Sequence, residues 1–591
     1  MKKLPEYGKI IRINGSLVFG ENIPNAKIGD VVWLGEMKLI GEIVRIHDNK
    51  AAIQCYEDTS GLKPGEKIIN TEKPLSAELG PGLLGEIFDG LEFSETKMWK
   101  IYGPFMKRGV KLEPIDRKKK WDFTPTIKKG QKVQGGDIIG EAPETTAITH
   151  KIMIPPQLHG TITDIKEGKH TVEEPIATLQ TPEGKTIEIK MLQTWPVRKP
   201  RPYKHRLPVT EPLITGQRII DTFFQIPKGG TAAIPGGFGT GKTVTLHQLA
   251  KWSDADVIVY IGCGERGNEM ADVITHFPEL EDPRTGKKLS ERSVFIANVS
   301  NLPVFAREAS IYMGVTIAEY YRDMGYHVAL MADSTSRWAE ALRDISGRLE
   351  EIPVERGYPA YLAERIAEFY ERAGRVITLG EPERIGSLTI MGAVSPPGGD
   401  FSEPVTSITV RFVGTLWALD KELAFQRHFP AINWLLSFSK YTAVLRAYWE
   451  SLDADFSRLR TEALALLEEA SKIEETARIV GEKSLPEDQR HILLISEILR
   501  DGYLFQNAFH EVDTYCPPEK QVMMLRAILE FYYLTKPLIM RGVPTDVIRD
   551  LPVIARLKRM RTAPELSFID ETIELAREQV NKLAQEYEAV I

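Results

Sequence analysis

Residues 231–252 read TAAIPGGFGTGKTVTLHQLAKW, and this segment is the strongest indication of structure in the chain. Its centre, GGFGTGKT at 236–243, has the spacing GxxxxGK[ST] and stands between a strand-like run and a helix-like continuation. Glycines let backbone N–H groups curl around an anion, and a helix that begins there presents its positive end to the same charge. The pattern predicts a phosphate-binding P-loop, and a glycine-rich surface turn before a helix is the alternative.

The P-loop chemistry predicts Mg-ATP as the ligand. Lys242 is expected to reach the β- and γ-phosphates, and the Thr243 hydroxyl is expected on Mg²⁺. The apolar run HVALMAD ends in Asp333, where a second magnesium ligand is expected, although an aspartate at a strand end can also cap a helix. The candidate ATP-binding residues of the loop are Gly236, Gly237, Phe238, Gly239, Thr240, Gly241, Lys242 and Thr243.

Hydrolysis also requires a group that orients or deprotonates the attacking water. The segment GCGERGNEM follows the apolar run DVIVYI and places Glu265 at the end of a predicted strand, where ligands meet parallel sheets. Glu269 is the competing carboxylate. The spacing leaves the choice open, and a helix cap or salt bridge is the structural alternative for either residue.

A chain of 591 residues is long enough for three or four domains. Short β-branched runs from Gly8 to Ile69 predict an antiparallel barrel, and a second β-like stretch follows a Gly- and Pro-rich linker. Continuously apolar runs such as SVFIANV and SLTIMGAV then predict parallel strands of an α/β core, before helical periodicity takes over. The expected domains are an N-terminal β-barrel (1–75), a linker and start of the core (76–109), an inserted β-module (110–195), a RecA-like P-loop domain (196–442) and an all-helical C-terminal domain (443–591).

Composition narrows the possible partners and cofactors. The formal net charge of −7 argues against a surface devoted to nucleic acid, and the widely spaced Cys55, Cys263 and Cys516 suggest neither disulfides nor zinc. No cofactor beyond Mg²⁺ with ATP or ADP is expected. The sequence has neither an export signal nor about eighteen consecutive apolar residues, so we expect a cytoplasmic protein that meets a membrane only through partner chains.

Six motifs occur in this order along the chain: GGFGTGKT, GERGNEM, MADSTSRWAEALR, GYPAYLAER, SPPGGDFSEPVT and RHFPAINW. Together with ELGPGLLGEIFDGL and QNAFHEVDTYC, they closely resemble the catalytic A subunits of archaeal and vacuolar-type rotary ATPases over nearly the whole chain. The resemblance implies ATP hydrolysis or synthesis coupled to proton or sodium transport. It also implies the same four-part architecture, in which the inserted β-module distinguishes this chain from shorter relatives.

The resemblance implies roles for individual residues. Glu265 becomes the catalytic carboxylate, Arg266 lies near the phosphates, and Glu269 is structural. Phe429 and Phe509 match an aromatic adenine pocket, where stacking needs only a π-face, although two ordinary core phenylalanines are the alternative.

The implied assembly is an alternating A₃B₃ ring in which an arginine from each B subunit completes an active site. Central-stalk and peripheral-stalk subunits and a membrane ion-translocating sector complete the complex, on the cytoplasmic side of a membrane. Two other functions are weighed against it: an RNA-stimulated RecA-type hexameric translocase and a non-catalytic nucleotide-binding ring subunit. Lys and Arg balance Glu and Asp between residues 8 and 69, which disfavours the translocase.

Overall fold

A computed structural model describes residues 6–102, 109, 112–267, 271, 275–276, 279–300 and 302–588. The chain divides into two compact units. Unit 1 comprises Met1–Pro208, Ala255–Pro396 and Asp400–Phe412, and unit 2 comprises Val209–Asp254, Pro397–Gly399 and Val413–Ile591. Each unit therefore contains part of the predicted α/β core, and unit 2 also contains the C-terminal helices.

Unit 1 begins with a closed six-stranded barrel in the order β1-β2-β5-β4-β3-β6, so the predicted N-terminal barrel is confirmed. Alternating apolar side chains such as Ile10, Val32 and Ile53 are buried and fill its interior. The barrel strands are β1 (Gly8–Asn14), β2 (Leu17–Glu21), β3 (Asp30–Leu34), β4 (Leu39–His47), β5 (Lys50–Cys55) and β6 (Lys67–Pro74).

A second β-module follows the short elements β7 (Ser76–Leu79), β8 (Ile87–Phe88) and α1 (Glu95–Tyr102). Two four-stranded sheets form it, in the orders β10-β13-β15-β16 and β12-β11-β9-β14, while β17 returns to pair antiparallel with β7. Its strands are β9 (Trp121–Pro125), β10 (Lys132–Val133), β11 (Ile138–Pro143), β12 (Thr149–Met153), β13 (Gly160–Ile165), β14 (Gly168–His170), β15 (Ala177–Gln180), β16 (Thr186–Ile189) and β17 (Gln193–Pro196).

The α/β core contains the strands predicted from continuous apolar runs. Its elements are β18 (His205–Leu207), β19 (Thr231–Pro235), α2 (Lys242–Trp252), β20 (Val257–Glu265), β21 (Ser293–Val299), α3 (Val304–Asp323), β22 (His327–Asp333), α4 (Thr335–Arg348), α5 (Leu362–Glu371), β23 (Gly374–Ile377), β24 (Ile385–Val394), α6 (Pro404–Phe412), β25 (Thr415–Leu416), α7 (Lys421–Phe425) and β26 (Phe438–Ser439). Within unit 1, β24, β22, β20, β21 and β8 pair in parallel in that order, as buried strands with few polar residues do.

Unit 2 begins its part of the core with β19, which pairs in parallel with β25, and continues into a helical domain. The predicted stripe from Phe456 to Ile473 is buried along one long helix, so the all-helical C-terminal prediction is confirmed. The helices are α8 (Thr442–Leu452), α9 (Phe456–Val480), α10 (Glu487–Leu499), α11 (Pro518–Met540), α12 (Thr545–Arg549), α13 (Val553–Arg559) and α14 (Ser567–Glu588). Over the described part of the chain, none of the helices has the length and apolar character needed to cross a bilayer.

Candidate active site

The loop between β19 and α2 is closed by its own side chains. The Lys242 ammonium donates hydrogen bonds to the carbonyl oxygens of Gly236 at 2.7 Å and Gly237 at 2.9 Å. The buried Thr240 hydroxyl donates to the Gly237 carbonyl at 2.9 Å. These bonds fix the curvature of the loop, which is the property that a phosphate cradle needs.

Two glycines of the loop have backbone conformations that other residues rarely adopt, with φ of +76° at Gly239 and +87° at Gly241. Gly236 is needed for a different reason. A Cβ there would lie 2.6 Å from the Thr240 hydroxyl and 2.8 Å from the Cβ of Leu419, which is closer than packing allows. The observed backbone and its close packing therefore explain the glycines at positions 236, 239 and 241.

Helix α2 begins at Lys242 directly after Gly241, and no side chain within the described residues caps its N-terminus. Backbone N–H groups in the first turn of a helix lack intrahelical acceptors and attract anions. Thr243 is the second residue of this helix, and the next turn is fixed by the Thr245 hydroxyl, which donates to the Gly241 carbonyl at 2.9 Å. The loop thus has the polarity expected of a phosphate site.

A cavity of about 640 Å³ opens beside the loop within unit 2. It is lined by Gly239, Gly241 and residues of α2, by the segment from Ala424 to Pro430, and by residues 505–509. Its walls are predominantly apolar, and its size falls within the range of small-molecule sites. The structure thus brings the P-loop glycines together with an apolar cavity that is large enough for a nucleobase.

Both candidate aromatic residues line this cavity. Phe429 is 37% exposed and Phe509 is 89% exposed, so neither is an ordinary buried core phenylalanine. The cavity is also lined by Gln248, Arg427 and Phe505, for which the sequence predicted no role in binding. Gln248 lies on α2, four positions after Val244 and three after Thr245, which line the same cavity, and this helical spacing is the one local signal that could have indicated it.

The remaining candidates lie in unit 1, at the carboxyl ends of neighbouring parallel strands. β20 ends at Glu265 and β22 ends at Asp333, and Gly262 of β20 pairs with Asp333. The carboxylate of Asp333 is 4% exposed and accepts a hydrogen bond from the Tyr260 hydroxyl at 3.2 Å. Burial and the nearby Asp333 charge raise the pKa of Tyr260 well above its usual value, so this hydroxyl remains a donor.

Glu265 follows a sharp bend in its strand, because Gly264 has φ of +70° and the pairing with β21 shifts register there. The bend leaves Glu265 half-buried and Arg266 exposed at the strand end. The side chains of Arg307 and Arg337 both pack within 3 Å of the position that a Gly264 Cβ would take. Glu269 lies outside the described residues.

Asp333, in unit 1, has a carboxylate, and Thr243, in unit 2, has a hydroxyl oxygen; each by itself is a type of ligand that Mg²⁺ accepts. Among the described residues, no three His, Cys, Asp or Glu side chains cluster as a preformed metal site.

Four family models match the chain in series. They are the ATP synthase alpha/beta family β-barrel domain (residues 10–72), barrel-sandwich domain (112–198) and nucleotide-binding domain (216–439), and the C-terminal domain of V and A type ATP synthases (445–547).

Full-length relatives decide the family. The A subunit of the A-type ATP synthase of Desulfurococcus sp. is 57% identical over 98% of this chain and 100% of its own length. The A subunit from Methanopyrus kandleri is 55% identical over 99% of this chain and 98% of its own length. The chain belongs to the family of A- and V-type ATP synthase A subunits. A V-type ATP synthase alpha chain of Thermoanaerobacter pseudethanolicus is also 55% identical, over 95% of this chain and 96% of its own length.

The match to this family confirms the resemblance that the motifs indicated. A solved structure of EscN, the ATPase of the enteropathogenic E. coli type III secretion system, also resembles the chain, with a TM-score of 0.62 and 22% identity. It covers 88% of this chain and 99% of EscN. At that identity the likeness supports the fold and says nothing about substrate.

Proposed function

We propose that this chain is the catalytic subunit of a rotary ATPase, coupling ATP hydrolysis or synthesis to proton or sodium transport across a membrane. The observation that carries the proposal is 57% identity to the A subunit of an A-type ATP synthase over that protein's whole length. The geometry supports it independently, because the glycine-rich loop that the Lys242 ammonium closes adjoins a cavity large enough for a nucleobase.

The candidate site residues have separate roles in nucleotide binding, magnesium binding and hydrolysis. Backbone N–H groups of residues 236–243 and the Lys242 ammonium hold the phosphates, while Phe429 and Phe509 contact the adenine. Thr243 and Asp333 hold Mg²⁺, which supplies positive charge to the phosphate oxygens when it is bound. Glu265 takes the proton of the attacking water, and Arg266 adds positive charge near the phosphates.

The same proposal includes the assembly. Three copies alternate with three B subunits, and an arginine from each B subunit completes a site. Such an arginine is worth roughly 10³–10⁵ in rate, so the isolated chain binds nucleotide but hydrolyses it slowly. Central and peripheral stalks connect this ring to a membrane sector made of other chains, and the ring lies on the cytoplasmic side.

The deciding experiment compares the Mg-ATPase rate of the native assembly with that of the same assembly carrying Glu265→Gln. We expect a fall of about 10²–10⁴-fold with nucleotide binding retained, because the amide keeps the shape but cannot accept a proton. Glu383→Gln is the matched control, since that carboxylate is 59% exposed and pairs with the surface residue Lys204. An unchanged rate in Glu265→Gln would place hydrolysis on another chain.

A further inference from the structure

A buried ionic network lies behind one wall of the base cavity. The guanidinium of Arg218 and the carboxylate of Asp513 are both fully buried, and Nη2 of Arg218 donates to Oδ1 of Asp513 at 2.8 Å. The other carboxylate oxygen accepts from Nη1 of Arg561 at 2.5 Å. One buried anion is thus held between two cations.

The same two side chains also bind the backbone of the cavity wall. Arg218 donates to the carbonyl oxygens of Tyr503 at 2.6 Å and Phe505 at 2.7 Å, and Asp513 accepts the backbone N–H of Asn507 at 2.8 Å. The segment from Phe505 to Phe509 is therefore attached at both its start and its middle. The planar guanidinium suits this task, because it presents donors in several fixed directions at once.

Gln506, between those attachments, connects the wall to Phe429, which also lines the cavity. Its backbone N–H donates to the Phe429 carbonyl at 2.7 Å, and its side-chain amide donates to the Gly216 carbonyl at 2.7 Å. Its side-chain oxygen accepts the backbone N–H of Arg218 at 2.9 Å. A shift of the Arg218–Asp513 pair would therefore move Phe429 and the 505–509 wall relative to each other.

We propose that Arg218 and Asp513 are positioning residues that hold residues 505–509 and Phe429 at the spacing a nucleobase requires. The inference rests on the proposed function, because it takes the cavity as the base site. Neither side chain is among the described residues that line the cavity, so they act through the wall. The phosphates would be bound by the P-loop, whose shape depends on hydrogen bonds within the loop and not on Arg218 or Asp513.

This separation gives the network a distinctive signature. Disturbing the wall weakens ligands that carry a base and leaves base-free polyphosphates unaffected. A purely structural role in unit 2 would instead weaken both ligands together, since the P-loop belongs to the same unit. Replacing Arg561 should cause a smaller loss of affinity for ligands that carry a base, because its side chain is 23% exposed. Its guanidinium also lies over the Phe505 ring, 4.7 Å from the ring centre.

The test measures binding of ADP and of inorganic tripolyphosphate to the full chain by calorimetry. In Asp513→Asn and Arg218→Lys we expect the Kd for ADP to rise about 10-fold or more, as loss of good base stacking would give. The Kd for tripolyphosphate should change less than about twofold. Asp546→Asn is the control, because that carboxylate is 64% exposed and pairs with Arg490 away from the cavity.

Each outcome decides something different. Equal losses for ADP and tripolyphosphate, or unchanged ADP binding, would overturn the inference while the proposed function stands. Failure of the unaltered chain to bind either ligand would instead count against the proposed function. If the Arg218 and Asp513 variants do not fold, Arg561→Gln is the test, because it removes only the half-buried partner of Asp513. A loss of ADP affinity without a loss of tripolyphosphate affinity would support the network. Unchanged ADP affinity would contradict it.

Discussion

The ammonium of Lys242 lies 2.7 Å from the carbonyl oxygen of Gly236, the first residue of the loop that it closes. A charge held by the loop's own backbone is already ordered when phosphate arrives, so little side-chain entropy is lost on binding. Lys242→Ala should raise the Kd for ADP about 10- to 100-fold, as loss of a charge-assisted hydrogen bond would give. Lys251→Ala, near the other end of the same helix, should leave the calorimetric Kd unchanged; an equal loss there would refute a specific role for Lys242.

Backbone strain predicts the effect of alanine in the loop. Gly239 and Gly241 have left-handed backbones, which cost an L-residue about 1–2 kcal/mol. Gly239→Ala meets no atom within 4 Å, so its whole effect should be this strain, seen as a lower unfolding midpoint and weaker ADP binding.

The matched control for the loop glycines is Gly347→Ala. Gly347 lies within helix α4, is exposed, and also has open space at its Cβ position. Alanine should stabilise that helix by about 0.5–1 kcal/mol, the opposite sign. If Gly239→Ala also raised the unfolding midpoint, the observed loop conformation would be wrong.

Stacking predicts unequal roles for the two cavity phenylalanines. Phe429→Ala should weaken ADP binding by about 1–3 kcal/mol, the range for loss of an aromatic platform under a base. Phe509 is 89% exposed, so its truncation should cost less. Fluorescence titration with ADP and tripolyphosphate tests this, because neither substitution should change tripolyphosphate affinity. A loss of both ligands in Phe429→Ala would mean that its ring supports the P-loop and does not contact the base.

Strands and helices whose burial leaves a local pattern of apolar residues could be predicted well from the sequence. The strands SVFIANV and HVALMAD coincide with β21 and β22, because continuous burial selects apolar residues at every position. The stripe that begins at Phe456 is buried along α9 for the corresponding reason at helical period. The P-loop could be predicted because the local backbone has positive φ at Gly239 and Gly241, a conformation that favours glycine.

The walls of the base cavity could not be predicted from local pattern. Arg218 and Asp513 are 295 positions apart, and nothing near either residue indicates that they pair. Their contact depends on tertiary packing, which carries no periodic signal in the sequence. Phe429 and Phe509 were indicated by resemblance alone, and the choice of Glu265 over Glu269 stays a prediction for the same reason.

Acid sensitivity of the helical domain is predicted from His491. This side chain is 2% exposed, stacks on Tyr532 and lies 2.8 Å from the Thr535 hydroxyl. Burial, with the charge of Lys536 nearby, lowers the pKa of His491 from 6.5 to about 4. The folded protein therefore keeps the ring neutral, while the unfolded chain takes up a proton first as the pH falls. The resulting stability is present above pH 6.5 and is lost as the pH falls towards 4.

His491→Gln should remove that dependence, because an amide can still bond Thr535 but does not titrate. Between pH 7 and pH 4.5 the unaltered chain should lose about 2–3 kcal/mol more stability than the variant, measured as the shift of the thermal unfolding midpoint of the helical domain. His47→Gln is the control, since that side chain is 88% exposed and its replacement should leave the acid-induced shift as it was. Protonating a buried imidazole costs free energy, so an acid response that arises from His491 must be smaller in His491→Gln. An equal loss of stability in the unaltered chain and in the variant would therefore show that the response arises from other residues.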